Sequence, residues 1–542
     1  MGYKLGLCGG PRGTHEAGIC LVKDGEVVLA IQEERVNRFK NAVSCFPTQS
    51  ITQLFKRFNL KPSDITEIAV PGESYQDMLI RWPAYLRLNF GLDIKKIKQV
   101  NHQVAHANAG FLSSNFDEAL IITLDGVGDQ LSGIVCSMNR LSTEPQIIKK
   151  FERPLETSIG FFWDAITQVI GFESLEEAYK TMGLAAYGNP TIDFSDFLSI
   201  KGGVPSLNSS FIQNQWKFIP YHPSEQRYSD EFVGFYKFVP RRKQDSLSNI
   251  HADIAASAQK HLVGSVAELI SYYIEKNKCK NIILSGGVAL NSSMMGKLKD
   301  EFSSYNLFVP QMPSDGCLAF GSVASLLEKD EWLNFKYPGP YTGFEYSNNE
   351  IIKAISQTGI QPIQYDEDII VDYLSKEMVV GFYEGRSEFG PRALGSRSIL
   401  ASPINPNMKD IVNRKIKFRE EFRPFAPVIR EVDADNYFEV PKNANYEYMN
   451  FVVKATDMAR KNAPAIVHQD GTSRVQVLKS GVNSKLEALL GRWANFSGCH
   501  VLLNTSFNLK GEPIVETPTD AIRTFFSCGL DVLVIGNYMI KK

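Results

Sequence analysis

The stretch Lys280-Asn281-Ile282-Ile283-Leu284-Ser285-Gly286-Gly287-Val288-Ala289-Leu290-Asn291 reads as a short buried strand followed by a glycine turn that opens a helix. Strand, glycine turn and helix in that order indicate an α/β fold. The alternation continues outward. Upstream, residues 250–275 have helical spacing and good helix formers. Downstream, residues 308–310 lead to the turn Pro313-Ser314-Asp315-Gly316. Residues 4–9, 17–22 and 26–32 read as strands, the last two joined by the hairpin signal Asp24-Gly25. A glycine-rich turn, Gly9-Gly10-Pro11-Arg12-Gly13-Thr14-His15, separates the first two. Residues 119–124 and 133–137 form another strand pair around the turn Asp125-Gly126-Val127-Gly128-Asp129.

Turn formers at Pro338, Gly339, Pro340 and Gly343 mark a boundary. The expected division is residues 1–340, a linker at 341–350, and a smaller mixed α/β domain at 351–542. That second domain has a helix near 349–358 and strands at 378–383, 500–503 and 532–536. No repeat of fixed period is visible. At 542 residues the chain is too long for one ordinary core.

Apolar residues make up 44% and charged residues 22%, so a core forms without staples. The 58 basic and 60 acidic residues nearly cancel, which argues against a chain built to coat nucleic acid or anionic lipid. The eight cysteines are scattered, with no C-x-x-C pair, so neither a zinc ribbon nor a disulfide framework is expected. The opening residues lack the apolar core of a signal peptide, and no run approaches 18 apolar residues. A cytoplasmic location without a membrane partner is expected, and a homodimer is left open.

Three constellations carry chemistry. His102 and His106 are one helical turn apart, so both imidazoles lie on one face, as a metal ion requires. Asp125 and Asp315 follow apolar strands or turns in Asp-Gly pairs, well placed to complete a His/His/Asp/Asp set; each Asp-Gly alone is also an ordinary turn. In the Ser285–Asn291 turn, glycines allow close backbone approach to a nucleotide, and the helix N-terminus favours anions. The second half is denser. Arg386, Arg392 and Arg397 lie among small residues, and Lys415, Lys417, Arg419 and Arg423 alternate with Phe and Pro. Arginine forks suit bidentate phosphate contacts, and this spacing fits a pocket wall better than a solvated helix face. Leu503-Asn504-Thr505-Ser506-Phe507-Asn508 adds amide and hydroxyl groups after a strand. Neither a Walker A sequence nor a G-x-S-x-G elbow is present.

Taken in order, several motifs resemble the O-carbamoyltransferases of natural-product and nodulation-factor biosynthesis. They are His15, Asn101-His102 through His106, Leu124-Asp125-Gly126, Lys180-Thr181-Met182-Gly183-Leu184-Ala185-Ala186-Tyr187-Gly188, Gly286 through Asn291, Phe389 through Gly395, Phe422 through Pro427, and Leu503 through Asn508. The resemblance implies an N-terminal domain of the duplicated actin/hexokinase (ASKHA) type, similar to tRNA threonylcarbamoyl-transferring enzymes. It implies a C-terminal domain similar to the partner that makes threonylcarbamoyl adenylate. It further implies that carbamoyl phosphate and ATP yield carbamoyl adenylate in the second domain, and that a hydroxyl of a small molecule accepts the carbamoyl group in the first.

By the same resemblance, Arg392, Lys417, Arg423 and Arg474 bind phosphates, with Asn504 and Ser506 completing the cradle. His102, His106, Asp125 and Asp315 hold iron or another divalent metal, magnesium accompanies ATP, and Gly286, Gly287 and Asn291 hold the nucleotide. His15 is the candidate general base. Relatives follow that histidine with Asp and small polar residues, whereas here Glu16-Ala17-Gly18 follows, which bears on acceptor recognition. A tRNA-modifying enzyme of the same fold and a non-catalytic nucleotide sensor are the competing readings. The near-neutral charge disfavours the first, and the full ligand and arginine sets disfavour the second.

Overall fold

The computed structural model describes residues 2–11, 14–93, 97–174, 176–213, 226–420 and 422–542. Arg12 and Gly13 of the glycine-rich turn, and Glu421 of the cationic stretch, lie outside the described residues. The chain forms two compact units, Met1–Ala30 with Ala42–Tyr337, and Ile31–Asn41 with Pro338–Lys542. Residues 341–350, expected as a linker, are built into the second unit. Gly343 N donates to Ser387 O at 2.9 Å, and the Tyr341 hydroxyl donates to Leu394 O at 2.7 Å.

The first unit holds two five-stranded sheets. One comprises β1 (Tyr3–Cys8), β2 (Gly18–Lys23), β3 (Glu26–Gln32), β4 (Ile65–Pro71) and β5 (Ile97–Val100), in the order β3-β2-β1-β4-β5. The other comprises β6 (Glu118–Gly128), β7 (Leu131–Asn139), β8 (Gln146–Glu152), β9 (Asn281–Ser285) and β10 (Asn306–Phe308), in the order β8-β7-β6-β9-β10. The antiparallel pair β1–β2 is matched by β6–β7. The parallel pairs β1–β4 and β4–β5 are matched by β6–β9 and β9–β10. One motif is thus used twice, as the expected duplicated fold requires.

In β9, Ile282, Ile283 and Leu284 are completely buried, as a parallel strand covered on both faces demands. The expected turn at 125–129 lies partly inside a strand. β6 runs through Gly128, and the chain reverses at Asp129-Gln130, both with positive φ.

The helix His102–Ser114 starts at Asn101, whose side chain accepts from Gln103 N and Val104 N. It is buried almost throughout and packs on the short helix Leu318–Ala324 with backbone nearly touching backbone. A Cβ on Gly321 would lie 1.8 Å from Ala105 O, and one on Gly6 of β1 would lie 1.9 Å from Ala319 O.

The second unit is built on an eight-stranded mixed sheet. Its strands are β11 (Ile363–Gln364), β12 (Val380–Tyr383), β13 (Arg397–Ala401), β14 (Ala426–Arg430), β15 (Gln476–Leu478), β16 (Val501–Ser506), β17 (Val532–Ile535) and β18 (Tyr538–Lys541). They lie in the order β11-β18-β17-β12-β13-β16-β14-β15. Among the described residues no helix is long and apolar enough to cross a membrane.

The contact at Gly321 leaves no room for a methyl group. Gly321→Ala is expected to destabilise the first unit by about 2 kcal/mol or more, because overpacking against backbone cannot relax. A lower urea midpoint at unchanged slope would register it.

Candidate active site

In the first unit, one turn of helix brings two imidazoles to one point. His102 Nε2 and His106 Nε2 lie 3.2 Å apart. Asp125, on β6, places Oδ2 3.0 Å from His102 Nε2 and 3.5 Å from His106 Nε2. Asp315, after β10, places Oδ1 3.4 Å from each. The four ligand atoms all lie within 4.8 Å of one another. Two donors each about 2.1 Å from a shared ion sit about 3.0–3.4 Å apart at octahedral or tetrahedral angles. The imidazole–imidazole and imidazole–carboxylate spacings, 3.0 to 3.5 Å, lie close to that requirement, and two nitrogens with two carboxylates suit a borderline divalent metal.

Electrostatics points the same way. Burial and the charge of Asp315 push the Asp125 carboxyl up, but bonds from both histidines outweigh them and hold it below the usual range. Burial likewise opposes the Asp315 charge, yet His102 and His15 hold that carboxyl well down. Burial lowers His102, but the two carboxylates raise it to about 9. The carboxylates thus favour positive charge at this point.

The expected neighbours fall partly in place. His15 Nε2 is 3.5 Å from Asp315 Oδ2. Burial opposes its protonation, but Asp315, Glu16 and Asp125 raise its pKa. Two of those three carboxylates, Asp315 and Asp125, are members of the cluster. Gly286 has φ +90°, and a Cβ there would lie 2.2 Å from Leu124 O. Gly287 N donates to Asp125 Oδ1 at 3.3 Å, so the Gly-Gly turn abuts the cluster. The Asn291 side chain is engaged locally, paired in both directions with Gln259 and accepting from Met294 N.

Motif reading gave no role to Asp129, whose Oδ2 accepts from His102 N at 2.7 Å and from Glu73 N at 3.0 Å. Nor did it find Cys317, whose Sγ is 3.4 Å from His106 Nδ1. The signals, a Gly-x-Gly-Asp turn and a cysteine beside Asp315, are too common to stand out.

The cations of the second unit separate into two sets. Arg386 donates to Gly343 O and Thr342 O. Arg397 opens β13, stacks over the Tyr383 ring at 3.7 Å and donates to Glu384 O. These two are held by backbone carbonyls and an aromatic ring. Arg392 differs, because burial alone lowers it to about 10. Burial and the charges of Arg392, Arg419 and Arg423 all push Arg474 well below the usual arginine range.

Residues 413–417 make a π-helical turn. After that turn Phe418 adopts φ +45° while Lys417 is buried. Lys417 Nζ donates to Ser506 O, Asn508 O and Asn508 Oδ1 at 2.5, 3.1 and 2.8 Å. Burial, then Arg419 and Arg423, push it well below the lysine range.

Asn504 Nδ2 donates to Ala393 O and Gln476 Oε1. Its buried Oδ1 has no hydrogen-bond donor among the described residues. Ser506 Oγ donates to Asn508 Oδ1. Arg392, Arg419 and Arg423 all bear on the buried Arg474, and Arg419 and Arg423 bear on the buried Lys417 as well, an arrangement whose chemistry suits a polyanion.

Two family models match the chain, "Carbamoyltransferase N-terminus" over residues 70–324 and "Carbamoyltransferase C-terminus" over residues 371–542. Nodulation protein NolNO of Sinorhizobium fredii is 32% identical, over 97% of this chain and 79% of its own. Nodulation protein NolO of Bradyrhizobium diazoefficiens is 32% identical over 82% of this chain and 79% of its own. An uncharacterized protein of Methanocaldococcus jannaschii is 32% identical over 99% of both chains. Full-length HypF in its phosphate- and nucleotide-bound form is 13% identical, with a TM-score of 0.35 over 60% of this chain and 55% of its own.

Three outcomes are expected. The purified chain carries about one equivalent of divalent metal by elemental analysis, and Asp315→Asn and His106→Ala each lose most of it, since every removed ligand costs affinity. Pyrophosphate at about 100 times its Kd stabilises the chain by about 2.7 kcal/mol in thermal melts, and Arg474→Leu removes most of that gain. The third concerns pH. Burial, with a contribution from Arg474, depresses His468 to about 4, so below pH 6.5 the unfolded chain binds the proton more strongly than the folded one. Stability therefore falls as pH drops from 6.5 toward 4, and His468→Gln flattens that slope in melts across the window.

Proposed function

Because the chain belongs to the carbamoyltransferase family, we propose that it forms carbamoyl adenylate in its second unit and transfers the carbamoyl group to a small-molecule hydroxyl in its first. The observation that carries this reading is the crowding of Arg392, Arg419 and Arg423 around Arg474. Such crowding is unfavourable in the free chain and favourable around phosphates. ATP, with magnesium, and carbamoyl phosphate together bring that much negative charge.

In the first step water displaces phosphate from carbamoyl phosphate and leaves carbamate. A carbamate oxygen attacks the α-phosphorus of ATP, an O–P bond forms, and pyrophosphate leaves. Arg392, Lys417, Arg423 and Arg474 offset the charge on the phosphate oxygens, and Asn504 and Ser506 complete the cradle.

In the second step the acceptor oxygen attacks the carbamoyl carbon, the bond to AMP breaks, and AMP departs with the electron pair. His15, whose Nε2 lies 3.5 Å from Asp315 Oδ2, takes the hydroxyl proton at that nitrogen. His102, His106, Asp125 and Asp315 would hold a divalent metal, iron or another, which supplies Lewis acidity toward a carbamoyl or phosphate oxygen. Gly286 and Gly287 let the adenylate's nucleotide approach the backbone, and Asn291 lies at the end of that turn.

The test is isotope exchange between pyrophosphate and ATP, dependent on carbamoyl phosphate, followed by AMP formation when hydroxylated acceptors are added. Arg474→Leu is expected to slow exchange by about 100-fold, the scale of removing one oriented charge donor. A chain that releases no pyrophosphate from ATP and carbamoyl phosphate with any acceptor overturns the reading.

A further inference from the structure

The stretch Ile31–Asn41 packs within the second unit, though the first unit's sequence flanks it on both sides. It is anchored by Arg38, whose guanidinium donates to Ile514 O at 2.6 Å and Pro513 O at 2.8 Å and lies 3.6 Å from Asp520. Two of its side chains, Gln32 and Arg35, are 2% and 1% exposed, and both reach the same residue. Gly390 N donates to Gln32 Oε1 at 3.2 Å, and Arg35 Nη2 donates to Gly390 O at 2.7 Å.

Gly390 has φ +110°, a backbone state that side chains disfavour. Pro391, with its fixed φ, follows it, and Arg392 comes next. The far side of this loop is closed separately. Glu388 Oε1 accepts from Leu394 N at 2.9 Å, Ser396 N at 2.7 Å and Arg397 N at 2.9 Å. Rotation about Gly390 is a freedom those bonds leave open, and it would swing Arg392. Gln32 and Arg35 hold that peptide from outside the loop.

We propose that Gln32 and Arg35 are positioning residues for Arg392, fixing the Gly390 peptide so that the Arg392 guanidinium stays beside Arg474 to bind a phosphate-bearing substrate. The substrate part rests on the adenylate-forming reading above. The positioning part needs only that Arg392 binds phosphate. Arg35 also faces the buried carboxylate of Glu516, so a purely structural role has to be distinguished.

The experiment is a double-mutant cycle on the full chain, read as the calorimetric Kd for inorganic pyrophosphate, with pyrophosphate–ATP exchange measured in parallel. Arg35→Lys keeps a cation beside Glu516 but loses the fork. Gln32→Met keeps the shape and loses the acceptor, and it carries the cycle if Arg35→Lys does not fold. Each is expected to weaken pyrophosphate binding by about 10-fold in the otherwise intact chain, and by less than about 2-fold when Arg392 is already Ala, because the effect passes through that residue.

Metal content is expected to stay unchanged. Equal losses in both backgrounds, no loss in either, or a chain that does not bind pyrophosphate overturns the proposal. Binding with the expected cycle but no exchange upholds the positioning and refutes the adenylate chemistry.

Discussion

Charge crowded where water is scarce is the constraint on which each unit is organised. In the first unit two carboxylates converge on two imidazoles. In the second, four arginines and a buried lysine lie together. Neither arrangement arises from folding energetics alone, since withdrawing charges from water is costly even where partners are near, and in the second unit the charges also repel one another. Each is tolerable because the surrounding backbone fixes the groups before any counter-charge arrives, and each becomes favourable when one does. That is electrostatic preorganisation, with the reorganisation completed during folding.

The scaffold devices follow from that requirement. Histidines one turn apart must keep their helix in place, so Asn101 and Asp129 both bind its first turn. The helix is then pressed onto a neighbour at a glycine with no tolerance for a methyl group. At the cluster itself, Gly128 and Gly286 bring backbone against the His102 ring and Leu124. In the second unit, the π-turn and the left-handed Phe418 aim successive side chains in different directions. Lys417 is driven inward while its neighbour stays in solvent. A regular helix would have spaced those side chains evenly and could not have separated them so sharply.

Much of this was legible in the sequence wherever a local rule carries the information. The i, i+4 histidines, the Asp-Gly at Asp125 and the Gly-Gly junction after β9 each follow from backbone geometry over a few residues. The duplication in the first unit was not legible by itself. Strand order is a tertiary property, and the two copies share topology without a sequence period. The arginines divide for a similar reason. Arg397 and Arg392 have the same small neighbours in sequence, but only Arg397 begins a strand and meets Tyr383. Residues 341–350 show the turn chemistry expected of a linker, yet turn residues are equally at home inside a packed unit. Gln32 and Arg35 were invisible because their meaning depends on a partner more than 350 positions away.

The excursion of Ile31–Asn41 has a consequence for how such a protein can be inherited. A gene divided between codons 337 and 338 would not yield two self-sufficient products, since the downstream half would be missing an interior segment encoded near the start of the upstream one. Exchange of halves between distant relatives by a single crossover would pair each catalytic loop with a foreign strap. The two units are therefore expected to be transmitted and to diverge as one lineage. Their coupling is written into the path of the chain.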